Sequence, residues 1–360
     1  MKICLTINSS PWSVFKGGGQ LAVHHLSCAL SAKGHDVHVL YSKHPDEKIQ
    51  VAVPYQLHWA QHHDFATVNL NIFSYPKVLA PLARKEKFDV IHGNAEEAFG
   101  IGNIAARTKA AYVFTSHAPN IPTTGIFEGM LHPIQFLKSV NTYLLRQAMM
   151  QADRIVAFSQ FSRDLIVKGL GSTEKIEVIP PGIENSWFEV ERNQVDSNRI
   201  LFWGRIEEEK GLPELFVSLK KVTEKFTNLK LTLAGEGNRL QEYKTLVTDL
   251  GLIKNVEFLG WLNDKELQSI AAESRFGIFP SRIESFGLSV VEAMAAGLPV
   301  IAARGGAVPE NIEEDLTGRL VPVNDPDALT EAILSLLEDQ QSAENRAKAA
   351  KTEAREKFSW

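Results

Sequence analysis

The segment Pro280 to Pro299, PSRIESFGLSVVEAMAAGLP, holds the densest set of groups able to do chemistry. An apolar run, Phe276–Phe279, precedes it and reads as a buried strand. Gly297, followed by Leu298-Pro299, reads as a helix C-cap, so a helix is expected to begin near Phe286-Gly287. N–H groups in a first helical turn, here Phe286, Gly287, Leu288 and Ser289, have no intrahelical acceptor and can hold phosphate or hydroxyl oxygens. Glu284 stands just before this helix, and Glu292 lies about two turns inside it. Val291, Ala293, Met294 and Ala295 surround Glu292, and a carboxylate among apolar neighbours needs donors. A ribose diol would supply two; an internal arginine is the structural alternative.

Three other places offer related chemistry. In Trp203-Gly204-Arg205-Ile206-Glu207-Glu208-Glu209-Lys210-Gly211, a strand ends at Trp203, and two cations bracket a short loop before a helix. Arg205 and Lys210 at a strand's carboxyl end suit a diphosphate, unless they pair with Glu207–Glu209. Lys16-Gly17-Gly18-Gly19-Gln20 is glycine-rich and opens a helix, so its backbone can approach an anion, or form a plain turn. It is neither GxGxxG nor a nucleoside-triphosphate loop. His117 follows a buried strand, Ala111–Ser116, at its carboxyl end. The other histidines read as polar or acceptor-facing groups: His58 and His62 have i, i+4 spacing, with His63, His24 and His25 as further metal candidates, but Tyr55–Ala60 looks like a strand. No metal is expected. Glu96 and Glu97, after Asp89–Asn94, favour a helix start.

The elements that must position these groups alternate. Lys2–Asn8, Asp36–Tyr41, Asp89–Gly93, Ala111–Ser116, Arg154–Ala157 and Ile176–Ile179 read as strands in the first half. Arg199–Trp203, Lys230–Ala234, Val256–Leu259, Phe276–Phe279 and Pro299–Ala302 read as strands in the second. Helical patterns separate them, which implies parallel sheets with right-handed crossovers. Pro180-Pro181-Gly182 breaks the pattern, with a linker expected over residues 180–198. The fold class is therefore α/β, with Rossmann-like domains over 1–183 and 184–360. Ligands of such sheets sit beyond the carboxyl ends of the strands, and facing ends would leave a cleft for two substrates.

Composition narrows the functions. The chain has 360 residues, 44% hydrophobic and 22% charged, which is ordinary for a globular protein. A net charge of -5 argues against a nucleic-acid binder with a broad basic face. The two Cys, Cys4 and Cys28, exclude a disulfide scaffold and suit a reducing, cytoplasmic compartment. No apolar stretch reaches 18 residues, so no membrane span is expected. The stretch Ile126–Met150 fits an interfacial helix or core packing, and its thin basic charge favours the core while leaving peripheral contact at the inner membrane face open. Residues 1–183 carry 17 Lys+Arg against 13 Asp+Glu, residues 184–360 carry 21 against 30, and all eleven His lie between His24 and His132.

The pattern S-x-x-E-x-F-G-L-x-x-x-E-A-M-A-x-G-x-P-V-I-A containing Glu284 and Glu292 resembles the family-4-type retaining glycosyltransferases of GT-B fold. So do Gly204-Arg205 with Lys210-Gly211-Leu212, Ala234-Gly235-Glu236-Gly237 and Gly260-Trp261-Leu262. Lys16–Gln20, Ser116-His117 and Pro181-Gly182-Ile183 match its N-terminal and linker patterns. The resemblance implies that 184–360 binds a nucleotide-sugar donor, with UDP or GDP favoured, and 1–183 a carbohydrate or lipid-linked acceptor. It implies that Arg205 and Lys210 hold the diphosphate, Glu292 the ribose, and Glu284 with the Phe286 and Gly287 N–H groups the sugar. Trp261-Leu262 would lie against the base, Gly18 and Gly19 near the phosphates, and His117 at the donor sugar. No cofactor beyond the co-substrate is implied. Glu284 and Glu292 share one loop and helix, unlike the opposed pair of a retaining glycosidase, so front-face substitution is expected. Lys357-Phe358-Ser359-Trp360 resembles the point where the family enters a last helix crossing back, so that helix is expected to be missing here, naturally or by truncation. Competing readings are a GT-B nucleotide-sugar epimerase, a sugar phosphorylase and a non-catalytic sugar-nucleotide binder; no segment demands the pyridoxal-phosphate lysine of a phosphorylase.

Overall fold

The computed structural model describes the chain except residues 14–16, 45, 63, 66–67, 70, 118–132, 173 and 193–194. Only the backbone is described at 64–65, 68–69, 71–73, 96, 133–139 and 197. Two compact units divide at Gly182, Met1–Gly182 and Ile183–Trp360.

Unit 1 runs β1 (Lys2–Ile7), α1 (Gly18–Ala32), β2 (Asp36–Lys43), β3 (Gln56–Gln61), a short antiparallel pair β4 (Asp64–Phe65) and β5 (Val68–Asn69), α2 (Asn71–Glu86), β6 (Val90–Gly93), α3 (Ile101–Thr108), β7 (Ala111–Ser116), α4 (Pro133–Gln151), β8 (Arg154–Ala157), α5 (Gln160–Leu170) and β9 (Ile176–Val178). Its parallel sheet has the order β3-β2-β1-β6-β7-β8-β9. Leu5, Val39, Leu40, Ile91 and Phe114 are fully buried, because helices cover both faces of such a sheet and leave no polar side. Strand order reverses between β1 and β6, the position where ligand crevices form in open sheets.

Unit 2 runs α6 (Asn185–Phe188), β10 (Asp196–Trp203), α7 (Leu212–Lys225), β11 (Lys230–Ala234), α8 (Leu240–Asp249), β12 (Val256–Gly260), α9 (Asp264–Glu273), β13 (Ser274–Phe279), α10 (Leu288–Ala296), β14 (Val300–Ala303), α11 (Val308–Asn311), β15 (Arg319–Val321), α12 (Pro326–Glu338) and α13 (Gln340–Phe358). Its order, β12-β11-β10-β13-β14-β15, reverses between β10 and β13. The two richest chemical segments therefore leave neighbouring strands at the switch point. Helix α10 is buried on nearly every side, with Val291, Ala293, Met294 and Ala295 at zero exposure. Arg192 fastens its end: the guanidinium donates to Gly297 O at 2.7 Å and Ser274 O at 2.7 Å.

Within the segment expected as a linker, residues 185–190 are held in place. Trp187 and Phe188 are buried, Lys351 donates to Val190 O at 3.0 Å, and Arg355 stacks over Phe188. Proline and glycine do mark the break, but contacts with α13, distant in sequence, hold the following residues in unit 2.

Of Ile126–Met150, residues 126–132 lie outside the described residues. Farther along α4, Leu145, Ala148 and Met149 pack into the unit 1 core. No helix among the described residues is long and apolar enough to cross a membrane.

Candidate functional site

Three backbone turns meet at the switch point of unit 2. Gly204 N–H donates to Ala234 O at 3.0 Å, Gly235 N–H to Gly260 O at 2.7 Å, and Ile206 N–H to Glu236 O at 2.8 Å. The loop after β13 joins them through Arg282 N–H, which donates to Glu209 O at 2.7 Å. Gly211, in the left-handed region at φ +64, lies so close to this loop that a Cβ would sit 2.1 Å from Pro280 O. Only glycine fits there.

This framework sets the charged groups. Lys210 ends a short 3-10 turn, Glu208–Lys210, and its Nζ meets Glu284 Oε1 at 2.6 Å. Both side chains are largely covered, at 15% and 20% exposure. Two site residues from separate segments thus form one ion pair, and Lys210 avoids the Glu207–Glu209 run. Arg205 takes the surface pairing instead: it contacts Glu209 at 2.9 Å and is 62% exposed. Such an exposed pair contributes little to stability, so it does little to hold the arginine from another anion.

Helix α10 runs Leu288–Ala296, in agreement with the start expected near Phe286-Gly287. Gly287 is its N-cap at φ +91, a conformation that stops helical bonding from reaching back to Phe286. The Phe286 ring is buried against Phe358, and its carbonyl accepts from Asn311. Intrahelical bonding starts with Val290 and Val291 N–H donating to Gly287 O. The first-turn N–H groups are therefore those of Leu288 and Ser289, beside the Gly287 cap.

Glu292 is half-buried, and Trp203 Nε1 donates to its Oε2 at 2.8 Å. Trp261 and Leu262 occupy the turn between β12 and α9, with Trp261 46% exposed. The Asn263 capping box fixes this turn by starting α9 immediately afterwards.

In unit 1, Gly18 and Gly19 form the first turn of α1, and Lys16 lies outside the described residues. A Cβ on Gly19 would come 3.3 Å from the His117 ring, so the glycine loop and the histidine are neighbours. His117 Nε2 lies 2.9 Å from Asn94 Oδ1. Asn94 Nδ2 donates to two carbonyls, Thr6 O at 3.0 Å and His92 O at 3.2 Å, which leaves Oδ1 as an acceptor. His117 Nε2 must then carry the proton, and Nδ1 holds the lone pair on the Gly19 side. Burial, with His92 nearby, pushes its pKa down to about 3. The ring is therefore neutral at pH 7.

The remaining histidines serve different partners. His58 is in a strand and contacts His38 at 2.9 Å, while His62 contacts Ser42 at 2.8 Å. His24 contacts Tyr55 at 2.7 Å, and His63 lies outside the described residues. No group of three metal-ligating side chains forms among the described residues. Glu97 lies in a 3-10 turn, Glu96–Ala98, and accepts from Ala95 N–H at 3.2 Å.

Sequence reasoning missed three supports. Trp203 read as a strand end, and Asn94 as the close of a strand. Gly305 and Gly306, after β14, press against the backbone of Ser281 and Glu284, and Ala307 N–H donates to Glu284 O at 2.9 Å. A glycine pair at the carboxyl end of a strand was the available signal.

Residues 184–353 match the model of glycosyl transferases group 1, and residues 16–187 match glycosyltransferase family 4. An uncharacterized glycosyltransferase of Methanocaldococcus jannaschii is 27% identical, covering 95% of this chain and 91% of that protein. Glycogen synthase of Mycobacterium tuberculosis is 28% identical, covering 100% and 92%. Among solved structures, sucrose-phosphate synthase from Thermosynechococcus elongatus superposes with a TM-score of 0.83 at 20% identity, covering 100% of this chain and 95% of that one. HepE of Anabaena, solved with UDP-glucose, superposes with a TM-score of 0.76 at 20% identity, covering 100% and 96%.

Proposed function

Because the chain belongs to the glycosyltransferases of GT-B fold and family-4 type, we propose that it moves a sugar from a nucleotide-diphosphate donor to a hydroxyl acceptor with retention of configuration. The observation that carries this reading is the Lys210–Glu284 pair beside the N-terminus of α10, at the switch point of a parallel sheet. The donor is a UDP- or GDP-sugar, and the acceptor a carbohydrate, a lipid-linked sugar or a small molecule. HepE's complex with UDP-glucose supports a uridine donor.

Arg205 and Lys210 hold the diphosphate, and Lys210 exchanges Glu284 for phosphate oxygen when the donor arrives. Glu284 turns to the sugar hydroxyls, with the Gly287, Leu288 and Ser289 N–H groups beside it. Trp261, with its exposed ring, and Leu262 lie along the base. Gly18 and Gly19 approach phosphate oxygen, and neutral His117 accepts a sugar hydroxyl at Nδ1.

In the reaction the sugar C1–O bond to the diphosphate breaks, and a bond from C1 to the acceptor oxygen forms on the same face. The acceptor's proton passes to the departing phosphate oxygen. Negative charge grows on that oxygen, and fixed cations and helix N–H groups lower the barrier there. Glu284 and Glu292 engage Lys210 and Trp203, which suits binding roles better than an opposed nucleophile and acid.

The test is a panel of UDP- and GDP-sugars assayed with and without acceptors, scoring nucleoside diphosphate and the anomer of the product. Acceptor-dependent release with a retained anomer is expected. Donor conversion without an acceptor would identify an epimerase, and an inverted product would remove the front-face step. Since protein cations meet the leaving-group charge, activity should persist in EDTA; a loss restored by a divalent ion would overturn that assignment. We place the enzyme in the cytoplasm, with peripheral membrane contact if its acceptor is lipid-linked. Liposome flotation checks the contact, and failure to float with acceptor-bearing vesicles removes it.

A further inference from the structure

We propose that Trp203 is a positioning residue that orients Glu292 for the ribose of the donor. This rests on the reading that Glu292 binds ribose, and carries it to a residue outside the sugar-nucleotide motifs.

Trp203 ends β10, immediately before Gly204-Arg205. Its indole is 5% exposed and held on two sides. The Trp187 ring stacks on it with centroids 5.6 Å apart and planes 6° apart. Phe279, the last residue of β13, meets it edge-on at 4.8 Å. A ring clamped in this way has little rotational freedom. Its single polar atom, Nε1–H, can only donate, and it donates to Glu292 Oε2.

A phenylalanine would keep a smaller aromatic ring against Trp187 and Phe279, since neither stack involves the N–H. What the indole adds is a fixed donor, aimed at a carboxylate about one turn inside α10. Charge-assisted hydrogen bonds of this kind are short and directional. By holding Oε2, the indole sets the rotation of the carboxyl group and so the direction of its remaining lone pairs. A vicinal diol needs that direction to be constant, because both hydroxyls must meet the carboxylate together. The aromatic stack also links this orientation to α6, whose Trp187 is buried in the same unit.

The experiment measures binding of UDP or GDP, whichever the donor panel selects, against its 2′,3′-dideoxy analogue. Calorimetry is run on wild-type protein and on Trp203→Phe. Wild type should prefer the ribonucleotide by tenfold or more. Trp203→Phe should lose most of that preference and raise donor KM about tenfold, with kcat within about threefold. If wild type binds both nucleotides equally, the ribose reading itself fails. If wild type discriminates and Trp203→Phe discriminates as well, the ribose reading stands and the positioning role is overturned.

A second measurement needs no variant. In protein labelled with 15N-tryptophan, one indole N–H resonance should shift with the ribonucleotide but not with the dideoxy analogue. Trp261, placed along the base, should respond to both. Absence of any ribose-dependent indole shift also overturns the proposal.

Discussion

Lys210 and Arg205 look equivalent as letters in a motif, and their surroundings separate them. The Lys210–Glu284 pair is largely covered, whereas Arg205 reaches Glu209 in solvent. Removing Lys210 leaves Glu284 without this partner in a half-buried place and, on the proposed reading, strips the diphosphate of a cation. Lys210→Ala should lower kcat by at least about thirtyfold, or about 2 kcal/mol. Steady-state kinetics with the selected donor check this; turnover within about threefold of wild type would remove Lys210 from the reaction. Arg205→Ala should also depress kcat, with a smaller effect on the unfolding midpoint, because its ion pair is exposed. At this scale the sequence exposed the charged groups but not their pairing. Lys210 and Glu284 are far apart in the chain, and the β10–β13 adjacency brings their segments together.

Elements bring these side chains together through glycine contacts. Gly235 sits at φ +149, and a Cβ there would lie 1.9 Å from Gly204 O. That carbonyl belongs to the residue before Arg205, so any shift moves the cation loop. Gly235→Ala should cost about 1–3 kcal/mol in backbone strain alone and lower kcat more than tenfold. Thermal melting and kinetics measured together test it; wild-type values in both would mean that the turns after β10 and β11 are not coupled. Five strands of unit 2 were legible because parallel strands covered on both faces read as continuous apolar runs, whereas the three-residue β15 was not. Its longer helices were legible, with Gly297 ending α10 as expected, whereas the four-residue α6 and α11 were not. The attachment of residues 183–192 was not, since Arg192, Lys351 and Arg355 act over long sequence separations. The left-handed φ at Gly287 that caps α10 was not legible, because it is a property of the turn and not of the apolar pattern.

The whole molecule divides its titratable chemistry unevenly. All eleven histidines fall within unit 1. Burial lowers the pKa of His92 to about 4 and, with His92 adding repulsion, that of His117 to about 3. Burial also lowers those of His38 and His58. In the unfolded chain these groups return to about 6.5, so between that value and the folded pKa the unfolded state binds more protons. Stability of unit 1 is therefore full above pH 6.5 and falls as pH drops through the window towards 4. His92 and His117 should each withdraw up to about 2 kcal/mol between pH 7 and pH 5. Unit 2 has no histidine, and ordinary carboxylates begin to titrate only near the lower end of that range. Calorimetric scans at pH 7, 6 and 5 should resolve a transition that moves down with acid and one that stays nearly fixed. Limited proteolysis at pH 5, just below the first transition, should cut within residues 1–182 and spare 183–360. Cleavage concentrated in the C-terminal unit, or a common midpoint at every pH, would show that the neutral histidines do not set the acid limit.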